Sequence, residues 1–310
     1  MKKTILSTIL SLALVLGFAA GTFAASEPVE ITVTHDLGET TLTTNPERII
    51  VFDYGTLDAL DFAGIEVTAL GKAGKLPEHL EKYQSDDYPA AGTLHEPDFE
   101  TVNDLEPDLI LISARAASAY EELSKIAPTV YIAMPTAGYL ETFEKNIDIL
   151  SQIFPDQADL FTEQLASIHE TAAAVSEKVQ ENGYTALVIM SNDGEISVFG
   201  LGSRFAIVYD DFGFTVSDES IEQSTHGQSA TFEYVAEQNP DFLFVIDRSA
   251  AVGAEGSTGA AQLLDNELIN GTEAAQNGRI VYLNPSNWYV VAGGVNSTTA
   301  MAAEIAAAVE

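Results

Sequence analysis

The apolar residues of the chain fall into short runs that alternate with segments of helical periodicity. Runs rich in valine, isoleucine and leucine predict parallel strands that are covered on both faces. The clearest runs occupy residues 48–53, 107–113, 185–190, 241–246 and 279–283. Segments such as 54–63 predict the crossover helices that parallel strands require. The pattern therefore predicts an α/β fold built on parallel sheets.

A longer helix is predicted between the two halves, over about residues 156–180. Its apolar residues recur at intervals of three and four, and they are Leu160, Phe161, Leu165, Ile168, Ala172, Val175 and Val179. Pro155 is typical of a helix start and Asn182-Gly183 of a helix end. At about 1.5 Å per residue, this helix could run along two lobes and restrict the motion between them. We therefore predict two Rossmann-like lobes, 25–155 and 183–310, joined by one long helix in segment 156–182.

The N-terminus has the pattern of an export signal. Met1-Lys2-Lys3 precedes an apolar run over residues 5–20, and small residues follow as far as Ala25. This predicts a signal peptide over residues 1–24, cleaved after Ala24 or Ala25, and a periplasmic or secreted product. The alternative is a retained membrane anchor, but the run is shorter than the roughly 20 residues that a spanning helix needs.

Composition narrows the possible functions. The 310 residues include 47 acidic and 13 basic side chains, giving a net charge of −34, and 46% are hydrophobic. Such acidity argues against nucleic-acid binding, because phosphates would be repelled. The chain has no cysteine, which excludes disulfides, thiolate catalysis, thiolate metal sites and a cysteine-linked lipid anchor. The product is therefore expected to carry no lipid anchor.

A short pattern recurs in the two halves at a spacing of 133 residues. Residues 99–102 (Phe-Glu-Thr-Val) precede Pro107-Asp108 and a strand, and residues 232–235 (Phe-Glu-Tyr-Val) precede Pro240-Asp241 and a strand. Each copy predicts a helix, a tight turn and a buried strand, although shared helix–strand preferences could produce part of the match. The recurrence favours two related lobes.

Two of the five arginines occupy the same place in this repeat. Arg115 and Arg248 each lie eight residues after the repeated proline, just past the carboxyl end of a strand. Ligands of parallel sheets bind at those strand ends, so we predict that both arginines enter one cleft and bind an anion. Arg204, on a glycine-rich turn, is a third candidate. Surface ion pairing is the alternative for each, whereas Arg48 and Arg279, at strand starts, are predicted to be structural.

A second set of candidate residues lies in two loops of the C-terminal half. His226 stands within residues 224–229, and Trp288-Tyr289 precedes Gly293-Gly294. Imidazole and phenolate could bind ferric iron, although a solvated histidine and a packed tyrosine are the simpler alternatives. The sequence contains no nucleophile elbow, no phosphate-binding glycine loop and no His-x-x-x-His spacing, so it does not favour an enzyme.

Several of these motifs resemble the catecholate siderophore-binding proteins of iron ABC importers, which are class III periplasmic binding proteins. The motifs are residues 202–205, 224–229, 239–241 with 245–248, and 288–289. The resemblance implies that Arg115, Arg204 and Arg248 bind the anionic catecholates and that His226 and Tyr289 complete iron coordination. It also implies that Trp288 lines the cleft and that Glu100 and Glu233 dock on the permease, where helix-surface charges are the alternative. The ferric siderophore would be a transported ligand of a monomeric protein without a permanent cofactor.

Three other functions stay open at this level. The same fold could bind another metal complex, such as haem, cobalamin or a hydroxamate siderophore, but the near-neutral hydroxamate complexes do not require three arginines. A siderophore-processing enzyme is a second alternative. A divalent-metal receptor is a third, although the histidine and carboxylate spacing does not supply its ligands.

Overall fold

The computed structural model describes residues 26–224, 226–254 and 256–310. The predicted signal peptide, residues 1–24, lies outside the described residues. In the part that is described, each helix is too short or too polar to cross a bilayer.

Strands and helices alternate along most of the chain. The strands are β1 (Glu30–His35), β2 (Gly38–Thr43), β3 (Ile49–Val51), β4 (Ala69–Leu70), β5 (Leu109–Ile112), β6 (Thr129–Tyr131), β7 (Thr185–Asn192), β8 (Glu195–Phe199), β9 (Thr215–Val216), β10 (Gln228–Ala230), β11 (Phe242–Asp247) and β12 (Ile280–Tyr282). The helices are α1 (Tyr54–Phe62), α2 (Phe99–Asp104), α3 (Tyr120–Leu123), α4 (Tyr139–Ile153), α5 (Ala158–Asn182), α6 (Ile207–Asp210), α7 (Phe232–Gln238), α8 (Arg248–Ala251), α9 (Ala260–Leu264), α10 (Glu267–Asn270), α11 (Glu273–Gln276) and α12 (Val295–Ala308). Segments Glu78–Gln84, Ala114–Ala119 and Pro155–Gln157 are 3-10 turns, and Ser286–Val290 is a π-helical turn.

The N-terminal sheet is parallel throughout, in the order β4-β3-β5-β6. Its two central strands, β3 and β5, are buried at every residue, as expected for strands covered on both faces. The antiparallel hairpin β1–β2 forms a separate small sheet beside it. The strands predicted over residues 48–53 and 107–113 are confirmed, with shorter bounds.

The C-terminal sheet is mixed, in the order β10-β8-β7-β11-β12, and β9 pairs with the start of β7. Strands β7, β9, β11 and β12 are parallel, as predicted, but β8 and β10 are antiparallel. The hairpin between β7 and β8 turns at Asp193 and Gly194, which have φ values of 50° and 85°. Two successive positive φ angles are what a tight hairpin turn of type I′ requires. The parallel strands predicted for this half are therefore confirmed, and the hairpin adds an antiparallel edge, β8 and β10, that the apolar runs did not indicate.

The long helix α5 connects the two sheets and begins two residues after its predicted start. It buries Phe161, Ile168 and Val175. Leu160, which the sequence periodicity assigns to the same apolar face, is exposed. Gly183 ends the helix in a left-handed conformation, with φ at 65°. Buried apolar side chains continue from the N-terminal sheet through α5 to the C-terminal sheet. The fold is thus two α/β lobes joined by one long helix, and we propose 25–155 and 183–310 as their extents.

The C-terminal helix α12 is bonded to the N-terminal lobe at its first turn. Asp58 on α1 is fully buried and accepts hydrogen bonds from Asn296 Nδ2 (2.8 Å) and Ser297 N (2.9 Å). His79 Nε2 lies 3.0 Å from the same carboxylate, which raises the pKa of His79 above its ordinary value. Gly294 lies so close to Asp58 that a Cβ there would overlap the carboxylate. These contacts hold the two lobes together on the side of α12.

The sequence repeat corresponds to a repeated structure. Both α2 and α7 end before a residue in the left-handed region, Glu106 (φ 44°) and Asn239 (φ 43°). The aspartates that follow, Asp108 and Asp241, accept hydrogen bonds from the backbone N–H groups at the start of β3 (Arg48) and of β7. The two lobes therefore repeat a helix, a turn and a strand in matching positions, which supports an internal duplication.

Candidate functional site

A cavity of about 710 Å³ lies between the two lobes. The N-terminal lobe contributes His95, Arg115 and Met134 to the lining of this cavity. The C-terminal lobe contributes mostly polar side chains. The predicted residues that line this cavity are Arg115, Arg204, His226, Arg248 and Tyr289. The structure thus brings five predicted site residues to one cleft.

Arg115 and Arg248 reach the cleft from opposite lobes. Arg115 lies in the turn that follows β5, and Arg248 directly follows β11. Both are half-buried. Arg115 Nη1 is 3.8 Å from Asp53 Oδ2, a long ion pair, and the other oxygen of Asp53 caps α1. Arg115 and Arg248 therefore lie where the repeat predicts them, at the carboxyl ends of parallel strands in the two lobes.

Arg204 is held beneath the ring of Tyr289. Its Nη2 donates to the Tyr289 carbonyl oxygen at 3.0 Å, and its Cζ lies 4.5 Å from the centre of the ring. Its Nε is buried and has no hydrogen-bond partner among the described residues. Burial lowers the pKa of Arg204, and the positive charges of Arg115 and Arg248 lower it further. This guanidinium is therefore positive, poorly solvated and close to both other arginines.

Tyr289 is positioned by two arginines. It lies in the π-helical turn Ser286–Val290, and its hydroxyl accepts a hydrogen bond from Arg248 Nε at 2.8 Å. The ring centre is 5.5 Å from the Cζ of Arg248, within the range of a cation–π contact. Arg248 Nη1 also donates to Asn192 Oδ1 at 2.9 Å. The phenol oxygen is thus held at the cleft surface with a cation beside it.

Trp288 does not line the cleft, contrary to the prediction. The side chain is fully buried, and its ring centre lies 6.4 Å from that of Phe205. Its indole Nε1 donates to Glu304 Oε2 on α12 at 2.7 Å. Neighbouring residues in the π-helical turn point to different sides, so Tyr289 faces the cleft and Trp288 packs in the core.

His226 lines the cavity from the C-terminal lobe and is exposed. Its backbone N–H donates to Ser224 Oγ at 3.2 Å, and Thr225 between them lies outside the described residues. Gly227 follows with a φ of 77°, and a Cβ there would collide with the ring of Phe199. This glycine allows the loop to join β10 directly after the histidine. The imidazole is therefore free of the core and accessible to a ligand.

The sequence reasoning missed other residues of the cavity. Asn192, Glu195 and Ser197 line it from the β7–β8 hairpin. Asp193-Gly194 between these strands is a strong hairpin signature and could have identified this wall. No local signal distinguishes His95, because only a turn of the N-terminal lobe brings it to the cleft.

The other two arginines are structural, as predicted. Arg48 forms an exposed ion pair with Asp108 at 2.8 Å and contacts Glu106 at 3.4 Å. Arg279 stacks on Tyr184, with its Cζ 4.6 Å from the ring centre. Neither lines the cavity.

Glu100 and Glu233 occupy matching places on the two lobes. Each is exposed in the first turn of its helix, Glu100 on α2 and Glu233 on α7. A crossover helix runs antiparallel to the strand that follows it, so its N-terminus lies at the carboxyl edge of that strand. Both glutamates are therefore on the cleft side of their lobes.

The arrangement is suited to binding a large anion. Among the described residues, Arg204 and Arg248 form no ion pair with a carboxylate, although the chain has 47 acidic residues. Unpaired guanidinium groups can donate charge-assisted hydrogen bonds to anionic oxygens. Within the described part of the chain, no group of three or more histidine, aspartate or glutamate side chains could hold a metal ion.

Residues 49–286 match the family described as periplasmic binding protein. The petrobactin-binding protein YclQ of Bacillus subtilis is 42% identical over 89% of this chain and 87% of that relative. Its crystal structure matches with a TM-score of 0.84 at 41% identity, over 91% of this chain and 99% of the other.

Two further relatives are similar over most of the chain. The periplasmic catecholate-siderophore binding protein VctP of Vibrio cholerae matches with a TM-score of 0.85 at 38% identity, over 90% of this chain and 100% of the other. The ferric-anguibactin-binding protein FatB of Vibrio anguillarum is 31% identical over 87% of this chain and 85% of that relative. All three relatives are named as binding proteins.

Proposed function

The chain belongs to the periplasmic binding protein family, and on that premise we propose that it binds a ferric catecholate siderophore between its lobes and delivers it to an ABC permease. The observation that carries this function is the arrangement of Arg115, Arg204 and Arg248 around one cavity. Its relatives include proteins named for petrobactin and for catecholate siderophores. The chain is a transport binding protein, not an enzyme.

Electrostatics determine how such a ligand would be captured. Each catecholate carries two negative charges, so a ferric bis- or tris-catecholate is an anion with a charge of about −1 or −3. The net charge of −34 repels an anion at long range. Capture must therefore depend on short charge-assisted hydrogen bonds from the three guanidinium groups, inside a cleft that excludes part of the water. Salt screens the long-range repulsion more strongly than these contacts, so binding should tolerate high ionic strength.

The side chains of His226 and Tyr289 would act on the iron itself. A tetradentate siderophore leaves two of the six coordination positions open, and an imidazole and a phenolate are suitable ligands for both. The phenol oxygen of Tyr289 already accepts a hydrogen bond from Arg248, which would stabilise a negative charge on that oxygen. A hexadentate siderophore fills all six positions, and the two side chains would then remain off the iron.

We expect ferric catecholates to bind more than tenfold more tightly than ferrioxamine, a hydroxamate complex. The physical reason is that bis- and tris-catecholate complexes are anions, whereas a near-neutral hydroxamate complex offers no negative charge to the three guanidinium groups of the cleft. Quenching of the fluorescence of Trp288, the single tryptophan, would measure both affinities. Tighter binding of ferrioxamine would reject the ligand class, and binding of neither complex would reject the function.

We also propose that the chain is exported, acts as a monomer and docks on its permease through Glu100 and Glu233. Geometry supports the docking role of Glu100 and Glu233. The two carboxylates are exposed at equivalent points of the two lobes, on the side of the cleft. A permease carrying basic side chains at a matching spacing would hold both lobes and the closed cleft at once.

Replacing both glutamates by glutamine should leave siderophore affinity unchanged and lower uptake about tenfold, because charge pairs at an interface mainly set recognition of the partner. Uptake of radioactive iron by cells that depend on this protein would measure the effect. Glu163→Gln and Glu177→Gln on the exposed side of α5 remove the same charge and serve as the control. Normal uptake with the Glu100→Gln/Glu233→Gln variant would reject the docking role.

A further inference from the structure

A second, smaller cavity of about 240 Å³ adjoins the main one. The two cavities share His95, Arg115 and Tyr289, so a ligand in the main cavity could extend past these side chains into the smaller one. At about 30 Å³ per water molecule, the smaller cavity has the volume of roughly eight waters, enough for a short chain with a polar end. Neither the sequence motifs nor the relatives assign it a ligand.

One wall of the small cavity is held firmly in place. The hydroxyl of Tyr54 donates to the carbonyl oxygen of Ala73 at 3.0 Å and accepts from the N–H of Ala73 at 2.7 Å. Tyr54 is itself buried, so this pair of hydrogen bonds anchors the segment that carries Lys75. A Cβ built on Gly253 of the other lobe would lie 4.0 Å from the Cβ of Lys75. Both lobes therefore form this cavity, and its shape depends on how they meet.

The chemistry of the cavity combines a cation with apolar surface. Lys75 is exposed and lines it, and no ion pair joins Lys75 to a carboxylate among the described residues. Other lysines of this acidic chain do pair, Lys82 with Asp61 for example. Leu94 and Val252 supply apolar walls. An apolar segment that ends in a negative group would satisfy both kinds of surface.

We propose that this second cavity binds the part of the siderophore that does not chelate iron, and that Lys75 recognises a carboxylate on that part. The inference rests on the proposed function and adds a specificity site to it. Arg115 lines both cavities and Lys75 lines the smaller one. A ligand that extends from the catecholate site toward Lys75 is therefore next to positively charged side chains along this path. The preferred ligand is then a catecholate siderophore whose linker carries a free carboxylate, rather than a neutral linker.

Two synthetic ligands that differ only at that group test the inference. The ferric complexes of bis(2,3-dihydroxybenzoyl)lysine and of its carboxamide have the same catecholates and the same linker. We expect the full-length protein without its export signal to bind the carboxylate form about tenfold more tightly, because a charge-assisted hydrogen bond is lost in the amide. In the Lys75→Gln variant this preference should disappear, and in Lys75→Arg it should persist.

Lys178→Gln is the matched control. Lys178 lies on α5, lines neither cavity and forms no ion pair among the described residues, and its loss changes the net charge equally. The control variant should keep the full preference for the carboxylate form. Equal affinity of the two ligands for the unmodified protein, or an unchanged preference in Lys75→Gln, would overturn the role of Lys75 and leave the proposed function standing. Binding of neither ferric complex would overturn both proposals.

Discussion

Replacing Arg204 by methionine is expected to weaken ferric catecholate binding by about 100-fold and, at the same time, to stabilise the ligand-free protein. Hydrogen bonds to charged groups contribute about 1.5–3 kcal/mol, which corresponds to roughly 10- to 150-fold in affinity. Arg204 belongs near the upper end of that range, because burial leaves it poorly solvated and two neighbouring cations repel its charge.

The gain in stability follows from the same surroundings. A buried charge without a carboxylate partner costs free energy in the folded state, and an apolar side chain of similar length removes that cost. Loss of the hydrogen bond to the Tyr289 carbonyl offsets part of this gain. We expect a net rise of about 1 kcal/mol in the free energy of unfolding. Binding residues commonly trade stability for function in this way.

The measurements are thermal unfolding of the ligand-free protein and fluorescence titration with a ferric catecholate. Arg48→Met is the matched control, because Arg48 is exposed and paired with Asp108 and Glu106. The control should keep its affinity and lose a little stability, a change of the opposite sign, because exposed ion pairs are weak. An Arg204→Met variant with unchanged affinity would contradict the assignment of Arg204 to the ligand. A lower unfolding temperature than that of the Arg48 control would contradict the cost assigned to its buried charge.

Removing both candidate iron ligands should discriminate between two classes of siderophore. In the Tyr289→Phe/His226→Ala variant we expect a tetradentate ferric catecholate to lose about 100-fold in affinity, and a hexadentate one to lose less than about tenfold. A tetradentate complex leaves two coordination positions for the protein, whereas a hexadentate complex leaves none. The smaller loss reflects Arg248, whose Nε no longer has a phenol oxygen to donate to.

Titration with a matched pair of linear bis- and tris-catecholates would measure the two losses, and the charge-transfer absorption of iron would report coordination directly. A phenolate ligand adds its own band in the visible range, which the variant must lose. Tyr184→Phe is the control, because the hydroxyl of Tyr184 also accepts from an arginine, Arg279, at 3.2 Å, but lies outside the cavity. Equal losses for the two siderophores would mean that neither side chain reaches the iron.

Much of the fold could be predicted because its signals are local. Val51 and Leu111 belong to continuous apolar runs, and such runs indicate covered parallel strands wherever they occur. Pro155 and Gly183 delimited the long helix to within a few residues, because a helix start and a left-handed end are properties of single residues. The antiparallel strands were missed because the hairpin signal at Asp193-Gly194 was given no weight.

The candidate site could be predicted only in part. The repeat placed Arg115 and Arg248 at strand ends, and the rule for parallel sheets then brought them to one cleft. Trp288 and Tyr289 show the limit, since adjacent aromatic residues have similar preferences and only the turn decides which one is buried. Lys75 had no local signal either, because its surroundings come from Tyr54 and from Gly253 of the other lobe.

By itself, the sequence determined the class of the fold, the two related halves and the residue types available for binding an anion, because periodicity and strand-end position are properties of short segments. The tertiary structure decided which of those residues meet: Arg204 against Tyr289, Asn192 with Arg248, and Asp58 with the first turn of α12. These pairs are separated by 56 to 239 positions along the chain. Contacts over such separations depend on how two lobes pack, and packing is a property of the whole molecule.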